Sequence, residues 1–262
     1  MSDAAPSVIV ELEHGVAVLT VNRPSALNAL NSTVLLELEQ AIAALAADPA
    51  LRVLIVTGAG SKSFIAGGDI VEMSGYTPQS ARRFAALGHR VLAALEALPV
   101  PVIAAVNGFC LGGGCELALA CDLIYAADNA RFGQPEVNLG LMPGFGGTQR
   151  LARRIGPARA AELIYTARQV KADEARAIGL ALEVFPNADL LTKVREIAAG
   201  IASKGPVAVR ASKLAIARGL DAPLAVGNAL EVEAFANLFD SADAREGMTA
   251  FVEKRTAQFR NA

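Results

Sequence analysis

The sequence predicts an α/β fold, with a sheet-based core over residues 1–190 followed by a helical region over 191–262. Three observations predict it. Val53–Val56 and Val102–Val106 are continuous apolar runs of strand length, as expected of strands covered on both faces. Glycine-rich turns follow these runs, and helix-period segments follow the turns. Beyond Pro186 the strand signals stop, and helical periodicity continues through 188–203, 206–218, 223–239 and 241–256.

Taken in order, Val8–Leu12 and Val16–Val21 read as strands joined by a turn at Glu13-His14-Gly15. Asn31-Ser32-Thr33 supplies cap residues for a helix whose apolar positions Leu35, Leu38, Ile42 and Leu45 recur at helical spacing. The strand Val53–Val56 leads into a glycine-rich loop from Gly58 to Gly68. A second helix covers Pro78 to Leu98, then come the buried strand Val102–Val106, a third helix Gly113–Ala120 and another strand Leu123–Tyr125. In such a strand–helix rhythm, ligands sit at the carboxyl ends of strands, where these glycine turns lie. The recurring unit suggests an internal structural repeat without sequence self-similarity.

A chain of 262 residues suffices for one large domain or one domain with a small appendage. An apolar content of 53% and a mean hydropathy of +0.39 predict a well-buried, oligomeric protein. Tryptophan is absent and aromatics are few, so alanine, leucine and valine must fill the core. A net charge of −2 gives no general drive towards nucleic acid or an anionic membrane. Cys110, Cys115 and Cys121 form neither a CxxC pair nor zinc-finger spacing with His14 and His89. They read as buried reduced thiols, which fits a reducing compartment. The start, Met1-Ser2-Asp3-Ala4-Ala5-Pro6, has no secretory or transit pattern, and Glu96, Pro99 and Pro101 interrupt the best apolar stretch. These features predict a soluble cytoplasmic protein.

Three glycine turns carry the chemical signal: Ile65-Ala66-Gly67-Gly68-Asp69, Leu111-Gly112-Gly113-Gly114-Cys115-Glu116 and Phe132-Gly133-Gln134-Pro135-Glu136. Three glycines are costly inside a helix, so Gly112-Gly113-Gly114 marks the turn entering the helix that carries Glu116. Backbone N–H groups at a helix start are unpaired and partly positive. Aimed at a carbonyl oxygen, they stabilise an enolate oxyanion; a tight turn that merely packs helix on strand is the other reading, and spacing leaves both open. Ala66–Asp69 offers a second donor, or an ordinary loop with Asp69 as a helix cap. Glu116, entering a helix rich in cysteine and leucine, has surroundings that raise a carboxyl pKa.

Two other chemistries fail on spacing. Val53–Ser61 looks like the start of a dinucleotide site, but no third glycine arrives in register, and Ser61-Lys62 is no Walker loop. Two histidines and no Gly-x-Ser-x-Gly leave little material for a catalytic triad.

Read together, these residues resemble the enoyl-CoA hydratase (crotonase) family over essentially the whole chain. The resemblance runs from Asn22-Arg23-Pro24 and Asn28-Ala29-Leu30 through Ala66–Ile70, Ala105–Gly108, Leu111–Glu116 and Phe132–Glu136. It continues through Pro143–Leu151 to Arg245–Met248 and Phe251–Arg255. It implies a spiral core of repeated strand–strand–helix units and a C-terminal helical region for trimerisation and active-site closure. The implied reaction adds water to a trans-2-enoyl-CoA and yields the 3-hydroxyacyl-CoA. Gly68 and Gly113 then supply the oxyanion hole, Glu116 handles the water and Glu136 the proton at C2. Coenzyme A would lie along Ser25, Ala26, Leu27, Ala66, Asp69, Ile70 and Val71, with Phe251 and Lys254 reaching a neighbouring subunit's site. Ser25 stands where family members often carry lysine. The resemblance implies no metal, no redox cofactor and a homohexamer built as a dimer of trimers.

Within that family, isomerases that move a double bond commonly keep one carboxylate, so having both Glu116 and Glu136 favours hydration. A non-catalytic, RNA-binding homologue would need a basic stripe. Arg150, Arg153 and Arg154 make only a short cluster, read as a solvated helix face.

Overall fold

Three consecutive strand–strand–helix units build the core of the chain, whose computed structural model describes residues 6–262. The reading of a missing leader on Met1–Ala5 lies outside the described residues. Ahead of the units, β1 (Val8–Glu13) and β2 (Val16–Val21) form an antiparallel hairpin that reverses at His14 and Gly15, both at positive φ. Helix α1 (Ser32–Ala46) is capped by Asn31, whose side chain accepts the Val34 N–H at 2.9 Å. Its Leu35, Leu38, Ile42 and Leu45 are all buried, as their spacing predicts.

The first unit holds β3 (Val53–Gly58), β4 (Ser63–Ile65), the short α2 (Ile70–Met73) and α3 (Pro78–Glu96). The second holds β5 (Val102–Val106), β6 (Phe109–Leu111) and α4 (Gly113–Leu119). The third holds β7 (Leu123–Ala127), β8 (Arg131–Gly133), a 3-10 turn at Glu136–Leu139, and α5 (Gly147–Ile155) with α6 (Pro157–Thr166). After them come β9 (Val170–Lys171), α7 (Ala172–Ala177) and β10 (Glu183–Phe185). Each unit gives its first strand to a six-stranded sheet, β1-β2-β3-β5-β7-β10. Its second strand joins a four-stranded sheet, β4-β6-β8-β9. Unit strands pair in parallel within each sheet. This is the spiral that the resemblance implies.

Every residue of β3 and β5 is buried, which explains their unbroken apolar sequences. On one face the sheet packs with residues of α1 and α3 in the main core. On the other, Val16, Val18, Val53, Ile55, Ile103 and Ala105 meet Leu190, Val194 and Ala198 of α8 (Leu190–Ala202). A division of the chain at 190 and 191 therefore falls in the first turn of a helix packed on the sheet.

Two parts of the sequence reading need correction. The segment from Gly58 to Gly68 is not all loop, because it contains β4. Strands of three residues are too short to show alternation, and β4 is fixed by pairing with β6. Between Asp128 and Leu182 the structure adds β8, α5, α6, β9 and α7, for which no period was assigned. These pieces are short and separated by Gly140, Gly146 and Gly156 at positive φ, so no window is long enough to reveal a period.

The remaining helices are α9 (Pro206–Leu220), α10 (Leu224–Leu238) and α11 (Ala242–Glu253). Lys213 ties α9 to the core through the Asp122 carboxylate at 2.8 Å and the Val100 carbonyl at 2.9 Å. Helix α10 has no buried residue, although Leu224, Val226, Leu230, Val232 and Phe235 all lie on it. Among the described residues no helix is long and apolar enough to cross a membrane.

Candidate active site

The strands β4, β6 and β8 are parallel neighbours, so the three glycine turns that follow them leave the small sheet at the same end. After β4 the chain runs through Ala66–Asp69 beside Leu27–Leu30. The Ala66 N–H donates to the Leu27 carbonyl (3.1 Å), Leu30 to Gly67 (2.8 Å) and Asp69 to Leu30 (2.8 Å). After β6, Gly112 turns at φ +49, donates to the Gly133 carbonyl at 2.9 Å and starts α4. Gly114 lets α4 lie directly on β4, since a Cβ there would fall 2.7 Å from that of Ile65. The turn thus packs α4 closely on the small sheet. Among the described residues, no acceptor takes the N–H of Gly68 or of Gly113.

Glu116 is 1% exposed on α4. Its Oε1 accepts the N–H of Phe145 at 2.8 Å and of Gly147 at 2.6 Å. No protein donor among the described residues reaches Oε2. Burial raises its pKa, while the Gly147 and Phe145 N–H groups and the Arg150 charge oppose the rise. Glu136 begins the 3-10 turn after β8 and is half-buried. Burial and the charge of Glu116 push its pKa up to about 7. Each carboxylate has a glycine beside it. A Cβ on Gly112 would come within 2.9 Å of Glu136 Oε1, and one on Gly147 within 3.0 Å of Glu116 Oε1.

The structure adds a residue to which the sequence reading gave no role. The Gln134 side chain is fully buried between the two glutamates. With its amide oriented by the hydrogen-bond network, Gln134 donates to Glu136 Oε1 at 2.9 Å and Oε2 at 3.2 Å. Its amide head also lies 2.6 Å from where a Gly147 Cβ would be. A glutamine two positions before a glutamate, on the same glycine turn, was the available signal.

Other sequence-predicted residues gather around the same loops. Pro24–Ala26 forms a 3-10 turn, Ser25 and Leu27 are exposed, and Leu27 and Asn28 have left-handed backbones. Asp69 Oδ1 caps α2 through the N–H groups of Val71 and Glu72, and Oδ2 pairs with Arg23 at 3.1 Å. Its carboxylate is therefore committed within the protein. Ile70 and Val71 are exposed on α2 beside the Gly68 turn. Phe251 and Lys254 are not brought to this place within one chain. They lie at the end of α11, where Phe251 is 85% exposed. An aromatic wall closes the inner side: Phe84 and Phe145 pack at 5.2 Å, Tyr76 and Phe84 at 5.5 Å, and Met73 lies against Gly68.

Arg150 corrects the reading of a solvated arginine face. Arg153 is exposed, but Arg154 is half-buried and the Arg150 side chain is only 18% exposed. Arg150 is held there because Glu96 and the Phe145 carbonyl take its donors.

Comparison with known proteins agrees over nearly the whole chain. The model of the enoyl-CoA hydratase/isomerase family matches residues 11–262. The crotonyl-CoA hydratase of Syntrophomonas wolfei subsp. wolfei is 52% identical over 256 residues, covering 98% of each chain. The short-chain-enoyl-CoA hydratase of Clostridium acetobutylicum is 51% identical, covering 97% of this chain and 98% of its own. A crystal structure of the enoyl-CoA hydratase from Bacillus anthracis superposes with a TM-score of 0.96 at 41% identity. The match covers 98% of this chain and all of that one.

The raised pKa of Glu136 has a thermodynamic consequence. A carboxyl whose pKa rises from 4.5 unfolded to about 7 folded favours the neutral form, so its stabilising effect is full below about 4.5. That effect is lost as pH climbs towards about 7. Wild-type Tm should therefore fall relative to Glu136→Gln between these pH values and level off above them. A Tm difference independent of pH would show an ordinary, solvated carboxyl.

Proposed function

The chain belongs to the enoyl-CoA hydratase/isomerase family, and from that membership we propose how its site hydrates a trans-2-enoyl-CoA. The observation that carries the proposal is the pair Glu116 and Glu136 set beside two unpaired N–H groups, those of Gly68 and Gly113. The thioester oxygen accepts both N–H groups. Attack of water at C3 moves negative charge onto that oxygen, so the donors bind the transition state more strongly than the substrate.

The two glutamates have unequal surroundings, which divides the work. Burial raises the pKa of Glu116, but two N–H groups fixed on Oε1 and the charge of Arg150 oppose that rise, and Oε2 is left to hold water and take its proton. At Glu136, burial and a neighbouring anion both favour the proton, which suits it to protonate C2. The C–O bond forms at C3, the C–H bond forms at C2, and the product is the 3-hydroxyacyl-CoA. The two carboxyls exchange protonation state in the process and titrate as a coupled pair. No metal or redox cofactor takes part in this reading.

Coenzyme A binds along Ser25-Ala26-Leu27 and Ala66–Val71, largely through backbone groups. With Ser25 in place of a lysine, its phosphates lean on Lys254, with Phe251, from a neighbouring subunit. Trimers that pair into hexamers supply that neighbour. The exposed apolar side chains of α10, among them Leu224, Val226, Leu230, Val232 and Phe235, support this assembly, because so large an apolar surface is ordinarily covered. The acyl chain is short: two relatives are named for crotonyl-CoA and short-chain enoyl-CoA hydration, and Phe84, Phe145 and Met73 wall the inner side of the glycine pair. Three free, buried thiols fit a reducing cytoplasm.

The purified protein should hydrate crotonyl-CoA, seen as loss of enoyl-thioester absorbance, with kcat/KM falling along a series of longer enoyl chains. Glu116→Gln and Glu136→Gln should each lower kcat by about 10²–10⁴-fold while acyl-CoA still binds. Near-normal turnover in either variant would refute the paired-carboxylate mechanism. Sedimentation should give a mass of six 27.1 kDa chains, and a monomer would refute the proposed assembly.

A further inference from the structure

Glu116 is held by the loop Phe145-Gly146-Gly147, and that loop is in turn held by one side chain. Arg150 Nη1 donates to the Phe145 carbonyl at 2.7 Å, so Phe145 is fixed at both ends: its N–H by Glu116 and its C=O by Arg150. The other side of the guanidinium grips Glu96, at the end of α3, with Nε at 2.6 Å and Nη2 at 2.8 Å. Gly146 turns the loop at φ +103, and any Cβ there would collide with the Arg150 guanidinium. We propose that Arg150, locked by Glu96, is the positioning residue that holds the Phe145 and Gly147 N–H groups on Glu116.

Three directed bonds from one planar group explain the choice of arginine. A lysine ammonium carries similar charge but cannot span a bidentate carboxylate and a carbonyl together. Stability alone is a weak reason for the pair, since Glu96 is 44% exposed and exposed ion pairs contribute little. Geometry at Glu116 is the stronger reason, because small misplacements of a proton-transfer group are costly in rate. The charged groups facing Glu116 are Glu136 from the β8 exit and Arg150 from α5. Glu96 on α3 stands behind Arg150, and His89 of α3 lies beside Gly146. Arg150 favours the Glu116 anion, and Glu96 partly cancels that charge.

This inference rests on Glu116 acting as the base, so Glu116→Gln is assayed alongside Arg150→Gln, Arg150→Lys and Glu96→Gln. Arg150→Gln should lower kcat on crotonyl-CoA by about 10–100-fold with little change in KM. It should also move the acid limb of the kcat–pH profile to higher pH, since the base loses supporting charge. Arg150→Lys should not restore kcat. Glu96→Gln, a half-exposed change that leaves the core intact, should lose less activity and not move the limb upward. The double variant should be no worse than Arg150→Gln. Wild-type kcat in Arg150→Gln, or a loss of kcat with an unmoved limb, would overturn the positioning role. Retained turnover in Glu116→Gln would instead overturn the reading of the site itself.

Discussion

Two backbone N–H groups without a partner among the described residues, those of Gly68 and Gly113, are the constraint around which this chain is arranged. A polar donor left unpaired away from water costs about 1–3 kcal/mol, so the surrounding structure must hold such groups open against the tendency to pair them. The spiral does this by construction. Parallel strands β4, β6 and β8 end side by side, and each exit is a glycine turn, with Met73 packed against Gly68 and Phe145 against Gly113. Ladder bonds to Leu27 and Leu30 take up the neighbouring amides of Ala66 and Asp69 but leave Gly68 out. The Arg23–Asp69 pair and the Asp69 cap on α2 fix the far end of the same turn.

Around that pair, two residues of one type are given different surroundings by their neighbours. Glu116 is almost fully buried, and its burial raises its pKa even though two N–H donors and a nearby guanidinium oppose the rise. Glu136 is less buried, but a second anion adds to its burial and a buried glutamine amide orients it. Chemically identical carboxyls thus meet different surroundings through packing alone. The supports lie far apart in sequence: Glu96 on α3, Arg150 on α5, Gln134 at the end of β8 and Gly112 at the start of α4. The arrangement of the two glutamates is therefore a property of the whole spiral rather than of one loop.

Much of this was legible in the residues, and the reasons are particular. Val53–Val56 and Val102–Val106 announce doubly covered strands because every residue in them is buried. The three glycines before Glu116 announce a turn into a helix, and the structure shows Gly114 packing that helix on β4. What stayed hidden was short or long-range. Strands of three residues, such as β4 and β8, carry too little pattern and owe their form to partners elsewhere in the chain. Arg150 read as surface because its partners, Glu96 and the Phe145 carbonyl, are identifiable only after folding. Gln134 was hidden for the same reason, since an amide reveals its role only when its acceptor is in place.

The most direct test of this account is the infrared carbonyl stretch of a ¹³C-labelled crotonyl thioester bound to the slow Glu136→Gln variant. Two convergent N–H donors weaken the C=O bond more than water does, so the account predicts a band at lower frequency than in free solution. A band at or above its free position would mean that Gly68 and Gly113 do not act together on the thioester. The central arrangement proposed here would then be wrong.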